Sequence, residues 1–140
     1  MRTTKRALLG LALAAAMIPF AATSAQAGGT NPTYKTAKPG NCPSAYLCVY
    51  KDINYGTGGI GIGLFKFDNK VWSNTDQAFI VGKDSSWYNN GTGTSYTSVI
   101  VYMGNDYTGN SFCLDKGWGN TWDSVANDKG RGNRWISGSC

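Results

Sequence analysis

Val101-Tyr102-Met103-Gly104-Asn105-Asp106-Tyr107-Thr108-Gly109 decides the fold, because the chain has already written it once. The earlier copy is Val49-Tyr50-Lys51-Asp52-Ile53-Asn54-Tyr55-Gly56-Thr57-Gly58, 52 residues upstream. Each copy carries a β-prone run into Tyr-x-x-x-x-Tyr with glycine close behind. A repeated unit of this kind predicts one supersecondary element used twice to build one core. The two tyrosines can pack together across a folded-back hairpin, while the glycine takes the positive φ that a Cβ resists. Such regularity points to architecture, so function is sought in what decorates it.

Upstream of the repeat lies a leader. Arg2, Lys5 and Arg6 form a basic start, residues 7–22 an uncharged apolar stretch, and Ala25-Gln26-Ala27 a small-x-small cleavage site. Residues 1–27 therefore read as a secretory signal peptide. The apolar stretch falls short of the ~20 residues needed to span a bilayer, and Pro19 interrupts it. Residues 28–41, rich in glycine and proline and poor in apolar side chains, read as a flexible N-terminal arm. One domain follows over 42–140, secreted and extracellular. Ile60-Gly61-Ile62-Gly63-Leu64 alternates branched with small side chains, and Ala78-Phe79-Ile80-Val81 and Ser98-Val99-Ile100-Val101-Tyr102 are further β-prone runs. No stretch of ten or more residues after the leader carries a helical stripe. Asn89-Asn90-Gly91-Thr92 predicts a type I′ hairpin turn. The same residues spell an Asn-x-Thr glycosylation sequon, but the turn is preferred because it needs only the chain itself.

The chemical inventory is narrow. Of 13 Lys and Arg, three sit in the leader, leaving 10 against eight acids, about +2 for the mature chain. That balance removes the main support for a nucleic-acid partner, which needs a clustered basic face; the small basic pair Arg131 and Arg134 reads as solvated surface charge, so no nucleic acid is expected. Histidine and glutamate are absent, which removes histidine triads, His-rich zinc sites and glutamate acid catalysts. The eight aspartates stand singly in turn-like contexts. The chain is read as no enzyme, without cofactor or membrane contact, and as a monomer. Four cysteines in an exported protein imply two disulfides, for which three pairings exist. The preferred pairing is Cys42–Cys48, a short clip, with Cys113–Cys140, which ties the last residue to the second repeat. Loop-closure entropy assigns them about 2.4 and about 3.6 kcal/mol.

The paired Tyr-x-x-x-x-Tyr units resemble the Greek-key signature of βγ-crystallins. Cys42-Pro43, Cys48-Val49-Tyr50, the Asn54-Tyr55-Gly56 turn, Asp84-Ser85-Ser86 and the terminal Asn127-Asp128, Arg134-Trp135 and Cys140 narrow this. Over residues 42–140 the chain is similar to the small secreted actinobacterial proteins grouped with the Streptomyces metalloproteinase inhibitor. That resemblance implies an all-β sandwich of two Greek keys. It also implies an inhibitor that blocks the cleft of an extracellular metalloendopeptidase with a stiff loop ending in an apolar side chain. Cys113-Leu114 is the expected loop, with Leu114 as the anchor and Cys113–Cys140 as its brace; the competing assignment makes Leu114 an ordinary core residue. The resemblance also raises calcium, bound through Asn/Asp-Asn/Asp-x-x-Ser/Thr-Ser. Here Asp84, Ser85 and Ser86 keep one half of that motif and Asn127 and Asp128 the other, and Lys83, Lys129 and Arg131 oppose a dication, so no metal is expected. The alternative function is a lectin-like or killer-toxin-like binding module at a cell surface. It requires Trp72, Trp87, Trp118, Trp122 and Trp135 to supply an exposed aromatic platform rather than core.

Overall fold

The repeat builds two copies of one folded hairpin. In the computed structural model, which describes residues 33–140, Tyr50 and Tyr55 lie 5.3 Å apart between ring centroids, and Tyr102 and Tyr107 also 5.3 Å. A 3-10 turn, Ile53–Tyr55 or Asn105–Tyr107, brings the second tyrosine back over the first. The left-handed backbone falls on the turn as well as on glycine: Asn54 and Tyr55 have φ of 54° and 65°, Asp106 and Tyr107 55° and 61°. Gly58 and Gly109 follow at 54° and 74°. Hydrogen bonds repeat with the geometry. Ser85 N donates to Tyr50 O at 2.8 Å as Arg131 N does to Tyr102 O at 2.8 Å; Asn54 N donates to Thr121 O at 3.0 Å as Asp106 N does to Lys70 O at 2.9 Å.

Among the described residues the regular elements are strands and 3-10 turns, without an α-helix. The strands are β1 (Tyr34–Lys35), β2 (Tyr46–Tyr50), β3 (Ile62–Phe65), β4 (Ser86–Asn90), β5 (Tyr96–Tyr102), β6 (Ser111–Leu114), β7 (Trp118–Asn120) and β8 (Gly132–Ser137). They form one sheet ordered β1-β7-β4-β2-β3 and a second ordered β6-β5-β8. The motifs exchange a segment. From the second motif, β7 crosses to pair with β4, and from the first, Asn69 crosses to bridge Asn133 on β8. Between the sheets lie Leu47, Val49, Phe65, Trp72, Ile80, Trp87, Val99, Val101, Phe112 and Leu114. Phe65 stacks on Trp72 at 4.4 Å and Trp87 meets Phe112 edge-on at 4.9 Å, the geometries that aromatic quadrupoles favour.

The cysteines pair as preferred, Cys42 with Cys48 and Cys113 with Cys140. Three expectations are corrected. The arm is not free over its described part: β1 pairs antiparallel with β7, Tyr34 Oη bonds Thr121 Oγ1 at 2.6 Å, and Thr36 Oγ1 bonds Tyr55 Oη at 2.8 Å. Its first residues, 28–32, and the predicted leader lie outside the described residues. Ala78-Phe79-Ile80-Val81 forms a 3-10 turn (Ala78–Ile80) and not a strand; it buries Ile80 alone, and Val81 N closes onto Ala78 O. Asn89-Asn90-Gly91-Thr92 is no hairpin, since β4 and β5 belong to different sheets and neither Asn90 nor Gly91 has positive φ. Asn89 is fully buried and ties the crossover: Nδ2 donates to Thr97 O at 3.1 Å and Leu114 O at 2.9 Å, while Oδ1 accepts Gly91 N at 2.8 Å. The sequon nitrogen of Asn90 is engaged too, donating to Cys42 O and Pro43 O.

Candidate functional site

Leu114 cannot serve as an apolar anchor. It is the last residue of β6, 0% exposed, and its equivalent in the first motif is Phe65, also core. The Cys113–Cys140 disulfide braces the chain end against β6, where Asp115 Oδ1 also accepts Cys140 N at 2.7 Å and Ser98 Oγ at 2.7 Å.

Among the described residues the most exposed of the large apolar side chains is Phe67. Beyond Phe65 the chain leaves the first sheet to reach Asn69 on the second, and Phe67 is stranded between them at 71% exposure. Its backbone is held firmly. Trp72 Nε1, which can only donate, gives its hydrogen to Asn133 Oδ1 at 2.9 Å. That fixes the Asn133 amide with Nδ2 toward the finger, where it donates to Phe67 O at 3.0 Å. Asn69 Nδ2 donates to the same carbonyl at 2.6 Å. Asn69 and Asn133 exchange both backbone hydrogen bonds at 2.9 Å, and Asp68 Oδ1 accepts Trp135 N at 2.7 Å. Asn133 is itself fully buried, so the brace runs from the Phe65–Trp72 stack through one amide to the exposed tip. Gly132 lets the strands approach: a Cβ there would stand 2.9 Å from both Asn69 O and Lys70 O. Beside Phe67 opens a groove of about 360 Å³ between Phe67, the 62% exposed Tyr96 and Trp135, with Gly91 and Gly93 as its low wall. Lys66 and Asp68 also line it, one charge of each sign, while Lys70 and Arg134 lie 6.0 and 5.8 Å from the Tyr107 ring.

No local signal in the sequence singled out Phe67. Phe65 and Phe67 share a strand parity, and only the crossing after Phe65 separates core from tip.

The two calcium half-motifs do meet, with Asp128 N donating to Asp84 O at 2.7 Å. They do not fit a dication. Both oxygens of the buried Asp84 carboxylate are occupied, Oδ1 by Gly130 N and Oδ2 by Gly130 N and Trp87 Nε1, at 3.0–3.1 Å. Ser86 Oγ donates to Asp52 O and accepts Tyr55 N. The Arg131 guanidinium donates to Gly130 O at 2.8 Å and Asp128 O at 3.4 Å, taking carbonyls a cation would need. Among the described residues no three His, Cys, Asp or Glu side chains converge. Burial pushes the Asp84 carboxyl up to about 7, against the lowering effect of its donors and of Arg131. The indoles are mostly structural: Trp72 and Trp87 are 0% exposed between the sheets, Trp118 and Trp135 are partly buried, and Trp122 faces solvent at 47%.

Residues 35–114 match the model of peptidase inhibitor family I36, more than half of the chain. No curated protein matches. Among solved structures, one from work on the evolution of the eye lens βγ-crystallin domain fold superposes with TM-score 0.53 at 13% identity, covering 77% of this chain and 98% of that one. A βγ-crystallin domain from Clostridium beijerinckii gives TM-score 0.51 at 24% identity, covering 66% of this chain and 99% of that one. These likenesses show a βγ-crystallin fold.

Proposed function

The chain belongs to peptidase inhibitor family I36, and on that premise we propose that it is secreted and blocks a metalloendopeptidase by inserting Phe67 into the cleft. Membership makes it a non-enzymatic inhibitor with a protease as partner. The observation that carries the finer reading is Phe67: a bulky apolar ring, 71% exposed, on a backbone fixed by two amide donors. A loop ordered before binding loses little entropy on binding, which is where affinity is gained. The same donors explain why the loop would not be cut as a substrate. A metalloendopeptidase polarises the scissile carbonyl with its metal, and the Phe67 carbonyl is turned inward onto Asn69 and Asn133. Secretion is supported by the leader pattern and by two disulfides. The cell-surface alternative has one strongly exposed indole, Trp122, where a platform needs a pair.

The test is titration of a thermolysin-like metalloendopeptidase with the oxidised chain 28–140, beside a serine protease control. Stoichiometric loss of metalloendopeptidase activity alone is expected. Full activity of the metalloendopeptidase at excess inhibitor would contradict the assignment of target.

A further inference from the structure

Because the two motifs are topological copies, each sheet edge has a counterpart. Asn69 pairs with Asn133 on β8 as Asn120 pairs with Trp87 on β4, so Phe67 and Asp68 correspond to Trp118 and Gly119. In the second motif that position is covered. There β1 lies antiparallel along β7, Lys35 opposite Trp118 and Tyr34 opposite Gly119. In the first motif no described strand lies along residues 67–69 on the side away from β8. The backbone there is turned for pairing. Phe67 O and both backbone groups of Asn69 face β8. Phe67 is a bend and Asn69 alone is bridged to β8; carried one residue back from that bridge, the alternation of an extended edge turns the N–H and C=O of Asp68 outward. Neither has a hydrogen-bond partner among the described residues. An unpaired edge of this kind is a template for another strand.

We propose that the 67–69 edge takes an extended segment of the target protease as an added antiparallel strand. The pairing would be the one β1 makes with β7: one partner residue exchanges hydrogen bonds with Asp68 N–H and C=O, and its neighbour stands opposite Phe67. Backbone pairing supplies register and the Phe67 ring supplies the apolar anchor, the division of labour found in strand addition. Lys66 and Lys70 are exposed on either side, with the Asp68 carboxylate between them held by Trp135 N, so the flanks favour acidic or neutral side chains over basic ones on the segment. The inference rests on the inhibitor reading above and names how that same site is held.

Amide hydrogen exchange on the complex with a thermolysin-like metalloendopeptidase tests it. In the free chain the Asp68 amide exchanges fast; in the complex it slows at least a hundredfold. As a second measure, Asp68→Pro, which lacks the N–H, weakens inhibition at least tenfold beyond Asp68→Ala, which lacks only the carboxylate held by Trp135 N. A complex that forms with the Asp68 amide still exchanging freely overturns strand addition and leaves the inhibitor reading standing. Absence of any complex removes both. Protection of Asp68 in the free chain that grows with its own concentration would assign the edge to a second copy and overturn the proposal.

Discussion

Asp84 carries a carboxyl group whose charge the fold penalises by burial. It is fully buried, and its carboxyl is raised to about 7 chiefly by desolvation. A raised carboxyl stabilises the folded state most fully below its unfolded value of 3.8, and that contribution is lost as pH rises through about 7. With no histidine in the chain, no other ordinary side chain titrates in that window. The unfolding free energy from denaturant titration should therefore rise on acidification from pH 7 to pH 5, by up to roughly 1.4 kcal/mol per pH unit, and the midpoint with it. Asp84→Asn should flatten the dependence; a wild-type midpoint constant over this range would refute the reading. Leu114 and Phe67 make a second residue-scale contrast. Leu114→Ala should cost about 2–5 kcal/mol because it empties core, whereas Phe67→Ala should stay within about 0.5 kcal/mol because its ring touches mainly solvent. Urea unfolding of both variants checks this, and equal losses would mean that the tip is packed.

At the scale of elements, the crossing after β3 is what converts a strand end into a finger. Asn69→Ala removes one of the two donors on Phe67 O and should let the chain swing outward as a substrate. Incubated with the metalloendopeptidase, this variant should inhibit at first and then be cut beside Phe67 as activity returns, while wild type stays whole by mass spectrometry. Persistent inhibition by an intact Asn69→Ala chain would show that the amide brace is dispensable. Elements are also where reading the sequence failed, for physical reasons. Asn90-Gly91 suits a tight turn locally, but Asn89 carries the crossover by bonding Thr97 and Leu114, contacts between sheets that adjacent residues do not announce. Gly91 is there for space: a Cβ would stand 2.8 Å from Trp135 Cζ3. Likewise Ala78-Phe79-Ile80-Val81 has strand chemistry but no partner strand, and closes on itself as a 3-10 turn.

Across the whole molecule, the two Tyr-x-x-x-x-Tyr units and the four cysteines made the Greek-key architecture legible, because both are local signals of a repeated fold. The exchange of Asn69 and β7 between sheets was not, since strand pairing at long range leaves no mark on either segment alone. That is also why the proposed site at Phe67 was hidden. Phe67 and Trp118 are both bulky aromatics two residues before an asparagine, and only β1, present over one and not the other, makes Trp118 a covered strand residue and Phe67 an exposed tip. Cys140 is tied in by covalent means as well. Replacing Cys113 and Cys140 together by serine should lower stability by about 3.6 kcal/mol on the loop-entropy estimate, yet spare inhibition in the chains that remain folded, because this disulfide lies on β6 and not on the finger. Thermal melts and activity titration on the same sample decide it, and selective loss of inhibition would return the site to Cys113. The central claim, that Phe67 is the group entering the cleft, is tested most directly by the inhibition constant of Phe67→Asp against that of wild type, measured on one metalloendopeptidase with both chains folded. The account predicts a loss of at least a hundredfold, since a charge would be buried in an apolar pocket; an unchanged constant would contradict it.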